Sequence, residues 1–214
     1  MPKLIAVDEE IYTHEILWRS SSNLLLQAQA DEEKAHYFLL PALLIGFLAF
    51  EAFVNFCGHV LLPSLWKEEK KNFQGKGLEG KLGVVLKRLP AFRWAKDSPP
   101  YQIIKNLEAF RHMAAHGKVV ASAYVAEQKD DGRHFRFEHA WDEYLSLEAV
   151  ISARNDIKAF SESVLLEARK ASDHPHLVFP AYEGPLASGS GISNSANQSL
   201  QADGPDGPGP ELER

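Results

Sequence analysis

The chain carries a single cysteine, Cys57, among its 214 residues. No intramolecular disulfide can form, and no Cys/His spacing resembles a zinc module. Positive charge is also scarce. The 23 Lys and Arg stand against 29 Asp and Glu, for a net charge of −6. A chain-wide basic footprint for duplex DNA is therefore excluded. There is no P-loop, no Rossmann glycine pattern, no Gly-x-Ser-x-Gly elbow and no His-Glu-x-x-His. Internal repeats are absent as well. The first ten residues turn acidic at Asp8-Glu9-Glu10, too early for a signal peptide, so the cytoplasm is the expected compartment.

What is present is globular in proportion. Hydrophobic residues make up 45%, aromatic residues 10% and charged residues 24% of the chain, which excludes a fully disordered or fibrous protein. At ~100–200 residues per domain, the length suits one domain with an appendage. Residues 37–50 carry no charge, and the apolar character resumes after Glu51 as far as Leu62. A membrane span wants ~20 apolar residues, and a carboxylate at its centre costs ~3 kcal/mol. The segment therefore reads as a buried central helix, and no membrane association is expected.

The appendage is residues 184–214. It holds six Gly, four Pro and no aromatic residue, with four acids against one Arg. Such a segment has too little apolar surface to offset its ordering entropy, so it is expected to be an acidic disordered tail behind a folded domain of residues 1–183.

The folded part reads mainly as helices. Ile11, Leu17, Trp18, Leu24, Leu25 and Ala28 mark a first amphipathic helix, weakened at residues 20–23. A second, apolar nearly all round, begins near Asp31 and ends near Leu62, with Pro41 as a place to kink or restart. Leu78, Leu82, Val85 and Leu89 mark a third. Pro99-Pro100 opens a fourth, with Ile103, Leu107, Phe110 and Ala114 inward and Gly117 at its C-terminal end. The period then changes to two. Residues 119–126 and 133–139 form a β-hairpin about Asp130-Asp131-Gly132. Ser146 caps a last helix carrying Val150, Ala153, Ile157, Phe160 and Val164. The expected architecture is an all-α bundle of four to five helices, with a small hairpin before the last helix.

The chemistry gathers at the end of the fourth helix, Phe110-Arg111-His112-Met113-Ala114-Ala115-His116-Gly117. At ~100° per residue and with Ile103 at zero, Leu107, Phe110 and Ala114 lie within ~40° of the core direction. On the same wheel Arg111 falls at ~80°, His112 at ~180° and His116 at ~220°. Both histidines point outward, and Arg111 sits at the edge of the apolar stripe.

This string resembles the HEPN domains, small helical bundles marked by Arg, four to six residues, then His, late in the bundle. The run Gly46-Phe47-Leu48-Ala49-Phe50-Glu51-Ala52-Phe53-Val54-Asn55 is similar to the family's central helix, with its acid and a later polar residue, and Gly80-Lys81-Leu82 also has the family look. The resemblance covers roughly residues 11–170. It implies a metal-independent endoribonuclease that works as a homodimer without a cofactor, often in toxin–antitoxin or defence systems with a neutralising antitoxin or other protein partner. It implies catalytic roles for Arg111, His116 and His112, with Glu51 and Asn55 in support. Histidine supplies the acid and base, and arginine stabilises charge on phosphorus.

The same residues admit structural roles. His116 can simply cap a helix C-terminus. Arg111 can pair with Glu51, whose carboxylate would be costly if left alone in so apolar a helix. In that case the bundle is a non-catalytic dimerisation or binding module. His112 and His116 have the spacing of a zinc helix, but no Glu follows His112 and no third ligand is evident, so no metal is expected. His59 reads as a satisfied core or interface residue, and Cys57 as a small buried hydrophobe. Residues 64–96 carry nine Lys/Arg against three Glu. They are either a solvated face or a patch for single-stranded RNA. In the second reading Lys81, Lys87 and Arg88 contact phosphates, and Trp66, Phe73 and Trp94 stack on bases.

Overall fold

The computed structural model describes residues 9–89, 91–92, 97–116 and 142–189. The chain divides into two compact units. The smaller consists of Met1–Glu10 and Ala187–Arg214. The larger, Ile11–Leu186, is helical. Two short strands, β1 (Glu9–Ile11) and β2 (Ala187–Gly189), form a two-stranded antiparallel sheet.

Helix α1 spans Thr13–Ala30 without a break. The serines expected to weaken it are all engaged. Ser20 and Ser22 donate back to the carbonyls of Ile16 and Trp18, both at 2.9 Å, and Ser21 donates to the Ala42 carbonyl of the next helix. Ser21 and Ser22 also accept from Arg154, which is buried and lies 4.0 Å above the Trp18 ring. Burial lowers the Arg154 pKa to about 10, so the guanidinium is still a cation at neutral pH.

Helix α2 is Ala35–Leu61 and carries Pro41 inside it. It starts later than Asp31 because Asp31 ends α1 and turns the chain, its carboxylate accepting from the Lys34 N–H at 3.2 Å and from Lys34 Nζ at 2.9 Å. By length and composition α2 could cross a membrane, with a mean hydropathy of 2.1, and half of its most apolar window is buried. Leu43, Phe47, Phe50, Phe53, Val54 and Cys57 are all 1% exposed or less, as befits a central helix. Burial pushes the Cys57 thiol well above its usual pKa, so it behaves as a hydrophobe.

Two short helices, α3 (Pro63–Lys67) and α4 (Glu69–Asn72), occupy the basic connector. They bury Trp66 and Phe73 against each other, ring centroids 4.6 Å apart. Neither aromatic is available to stack on a base, which corrects the expectation for both. Gly58 of α2 receives the Trp66 ring so closely that a Cβ there would lie 2.2 Å from it. Helix α5 (Gly77–Lys87) follows, with Leu78, Leu82, Val85 and the adjoining Leu89 buried. Helix α6 (Pro99–Ala115) buries Ile104, Leu107 and Phe110. Helix α7 (Leu147–Ala168) is capped by Ser146, which accepts from the Ala149 N–H at 3.0 Å, and buries Val150, Ala153, Ile157, Phe160 and Val164. Helices α1, α5, α6 and α7 all pack on α2. The hairpin expected at residues 119–139 lies outside the described residues, as do Trp94 and residues 190–214.

The segment after α7 was not legible as structure. It contains a 3₁₀ turn, Pro175–Val178, and is stitched down along its length. Arg169 donates to the carbonyls of Leu177 and Phe179, and the Ala181 N–H donates to Glu162 at 2.8 Å. Tyr182 adopts φ 68°, an uncommon conformation for a bulky residue. Its ring is held by stacking on Trp18 at 4.1 Å and by a 2.9 Å hydrogen bond with Ser161. Order also continues past Glu183. The Gly184 N–H donates to Glu15 at 2.9 Å, the Gly184 carbonyl accepts from Arg19 at 2.7 Å, and the Leu186 carbonyl accepts from the Tyr12 N–H at 2.9 Å. Residues 184–186, expected to belong to a disordered tail, are therefore held in place by hydrogen bonds to α1 and the residue before it.

Candidate functional site

At the C-terminal end of α6, Phe110 points into the core while His112 and His116 are exposed. This is the division that the helical wheel requires. The two imidazoles lie side by side, centroids 5.8 Å apart and planes within 15°. His116 is also the helix C-cap, its N–H donating to the His112 carbonyl at 3.0 Å. Arg111, between core and outside, reaches α2. Its Nη2 lies 3.2 Å from Oε1 and 3.4 Å from Oε2 of Glu51. The pair is partly exposed, at 32% for the Arg111 side chain and 21% for that of Glu51.

Asn55 lies one turn beyond Glu51 on α2. It accepts from Lys81 Nζ at 3.0 Å, and Lys81 also pairs with Glu69 of α4. The structure thus brings Arg111 to Glu51 and Asn55 to Lys81 along one side of α2. It does not leave Lys81 free to track a phosphate. Lys87 and Arg88, at the end of α5, are exposed. His59 is exposed too, rather than a core residue. No family model, curated protein or solved structure matches this chain.

A second cluster is wholly buried. His14 and Glu15 occupy the first turn of α1, and His176 sits in the 3₁₀ turn. They are 2%, 1% and 4% exposed. Oε1 of Glu15 lies 3.7 Å from His14 Nε2 and 3.4 Å from His176 Nε2. Oε2 of Glu15 and both ring nitrogens of His176 have no hydrogen-bond partner among the described residues. Each such buried polar atom costs ~1–3 kcal/mol. Burial, reinforced by His176, lowers the His14 pKa to about 3, so this imidazole is neutral at pH 7. Aromatic rings enclose the cluster. Tyr12 stacks on His176 at 3.6 Å, and Phe56 stacks on His14 at 4.8 Å. Sequence inspection missed this site. His14 and Glu15 form no motif by themselves, and His176 lies far along the chain.

Proposed function

We propose that this protein is a HEPN-like endoribonuclease that cuts RNA as a homodimer in the cytoplasm, with no metal in the reaction and a toxin–antitoxin or defence role. The observation that carries the reading is the end of α6, where one turn and a half of helix carries an arginine anchored on a central-helix carboxylate and two exposed, parallel imidazoles. One imidazole takes the proton of the ribose 2′-OH. The 2′-oxygen attacks phosphorus, and Arg111 stabilises charge on the phosphorane oxygens. The second imidazole protonates the departing 5′-oxygen. The products are a 2′,3′-cyclic phosphate and a 5′-hydroxyl, so no water or metal is consumed. His116 is the principal acid/base, His112 its partner, and Glu51 fixes the direction of Arg111. In a homodimer the outward faces of two α6 helices, each carrying His112 and His116, line one cleft, with Arg111 at its edge. Exposed Lys87 and Arg88 contribute a modest phosphate-tracking surface.

A second reading rests on the Arg111–Glu51 pair itself, which ties α6 to α2 and would serve a non-catalytic dimerisation or binding module equally well. Incubation of labelled single-stranded RNA with wild-type and His116→Ala protein in EDTA separates the two. The ribonuclease cuts and the variant does not, whereas the binding module leaves RNA intact in both.

A further inference from the structure

His14, Glu15 and His176 bring two imidazoles and a carboxylate together at the point where the segment after α7 meets the first turn of α1. Their donor atoms all lie within 4.8 Å of one another. The two measured edges to Glu15 Oε1 are 3.4 and 3.7 Å. Four ligands held tetrahedrally at ~2.0–2.1 Å from zinc stand ~3.4 Å apart. An N–H···O hydrogen bond would draw the atoms to ~2.9 Å. The spacing suits groups that share a cation better than groups that share a proton.

We propose that His14, Glu15 and His176 form a binding site for a divalent first-row transition metal, with zinc the ion that best fits the donor set. Two imidazoles and one carboxylate suit zinc, whereas calcium and magnesium prefer oxygen alone. The cluster is buried, and Glu15 Oε2 and both His176 ring nitrogens lack hydrogen bonds. A metal bound by the Glu15 carboxylate and by one ring nitrogen of His176 would give a partner to polar groups that the fold otherwise leaves unsatisfied. A supporting contact is also in place. The Gly184 N–H donates to Glu15 Oε1 at 2.9 Å, which orients the carboxylate. Only glycine permits that approach, since a Cβ at 184 would lie 2.5 Å from the His176 ring and 3.0 Å from Glu15.

The bound ion pins the segment containing His176 onto α1, a brace between parts of the domain remote in sequence. The site shares no residue with Arg111, His112 or His116, so it stands whether or not the protein cuts RNA.

The test uses the full chain, stripped with a strong chelator and then titrated with zinc by calorimetry, with cobalt(II) as a spectroscopic probe. The expected result is a single zinc ion per chain, a raised melting temperature, and visible cobalt bands of a tetrahedral site. Glu15→Gln and His176→Ala should each weaken zinc by at least ~100-fold, the upper end of what loss of an outer contact costs. The double variant His112→Ala/His116→Ala, which removes the exposed pair with zinc-helix spacing, should bind as wild type does. If the buried variants fail to fold, the cobalt spectrum decides. Bands that persist in the double variant support the buried site. Bands that are absent, or that vanish in the double variant, overturn it, as does unchanged zinc affinity in Glu15→Gln and His176→Ala.

Discussion

This molecule uses histidine pairs in two opposite settings. His112 and His116 stand exposed at the end of α6, one turn apart in sequence and parallel in space. His14 and His176 are buried, distant in sequence, and brought together with Glu15 only by folding. An exposed imidazole keeps its ordinary hydration and can meet a substrate. A buried one is desolvated and must find a partner inside. The first setting favours proton transfer to something that arrives from outside. The second favours holding the chain together.

The largest expected effect separates activity from stability at the exposed site. Arg111→Ala should reduce RNA cleavage at least ~10²-fold, the loss usual for a single charge-stabilising group. Its melting temperature should stay close to wild type, because the Arg111–Glu51 pair is partly solvated and such pairs contribute ~0–1 kcal/mol. Steady-state cleavage assays beside thermal melts check this. A variant that loses activity only by unfolding would assign Arg111 to the scaffold.

The buried site should respond to substitution in the opposite sense. Gly184→Ala forces a methyl group against His176 and Glu15 and should cost ~1–3 kcal/mol in urea unfolding. Truncation after Glu183 should cost a similar ~1–3 kcal/mol by removing the N–H bonded to Glu15. Truncation after Gly189 should be close to neutral, as the composition of residues 190–214 offers little to bury. Equal effects of the two truncations would contradict the Gly184 contact.

Acid gives a further contrast. The folded-state pKa of His14 is about 3, below the usual 6.5. Between these values the unfolded chain binds the proton and the folded chain does not, so stability rises with pH across the window. It is fully present above pH ~6.5 and falls by up to ~1.4 kcal/mol per unit as pH drops towards 3. Urea midpoints of the metal-free protein at several pH values measure the slope. His14→Phe should flatten it.

The smallest effect concerns the basic surface. Each phosphate contact on single-stranded RNA adds ~0.7 to the slope of log K against log salt. Lys87→Gln/Arg88→Gln should therefore lower that slope by up to ~1.4 in binding titrations. Lys81→Gln should act mainly on stability, because Lys81 is tied to Asn55 and Glu69.

What could be read in advance follows the same division. The stripes of α5 and α7 were legible because each buries its own apolar residues, whereas Ile11, expected in the first helix, is an exposed residue of β1, and Ile104 rather than Ile103 is the buried isoleucine of α6. Val150 through Val164 of α7 and Leu78 through Leu89 are buried as the spacing requires. The outward turn of His112 and His116 was legible for the same reason. The pairing of Arg111 with Glu51 could be anticipated because a carboxylate in an apolar helix needs a partner. Tertiary context decided the rest. Trp66 and Phe73 looked like surface aromatics in a basic loop, but two short helices fold them inward. Gly184 and Pro185 carried the composition of a tail, yet a single glycine N–H reaching a buried carboxylate leaves no trace in composition. The His14–Glu15–His176 cluster has no local pattern and exists only because the segment after α7 returns to α1.

The most direct test of the central claim is the end-group chemistry of RNA treated with wild-type and His116→Ala protein in EDTA. Wild type should cut and leave 2′,3′-cyclic phosphate ends. His116→Ala should be slower by ~10²–10⁴-fold, the usual contribution of a general acid or base. Equal cutting by the two proteins, or no cutting by a folded wild-type dimer, would contradict it.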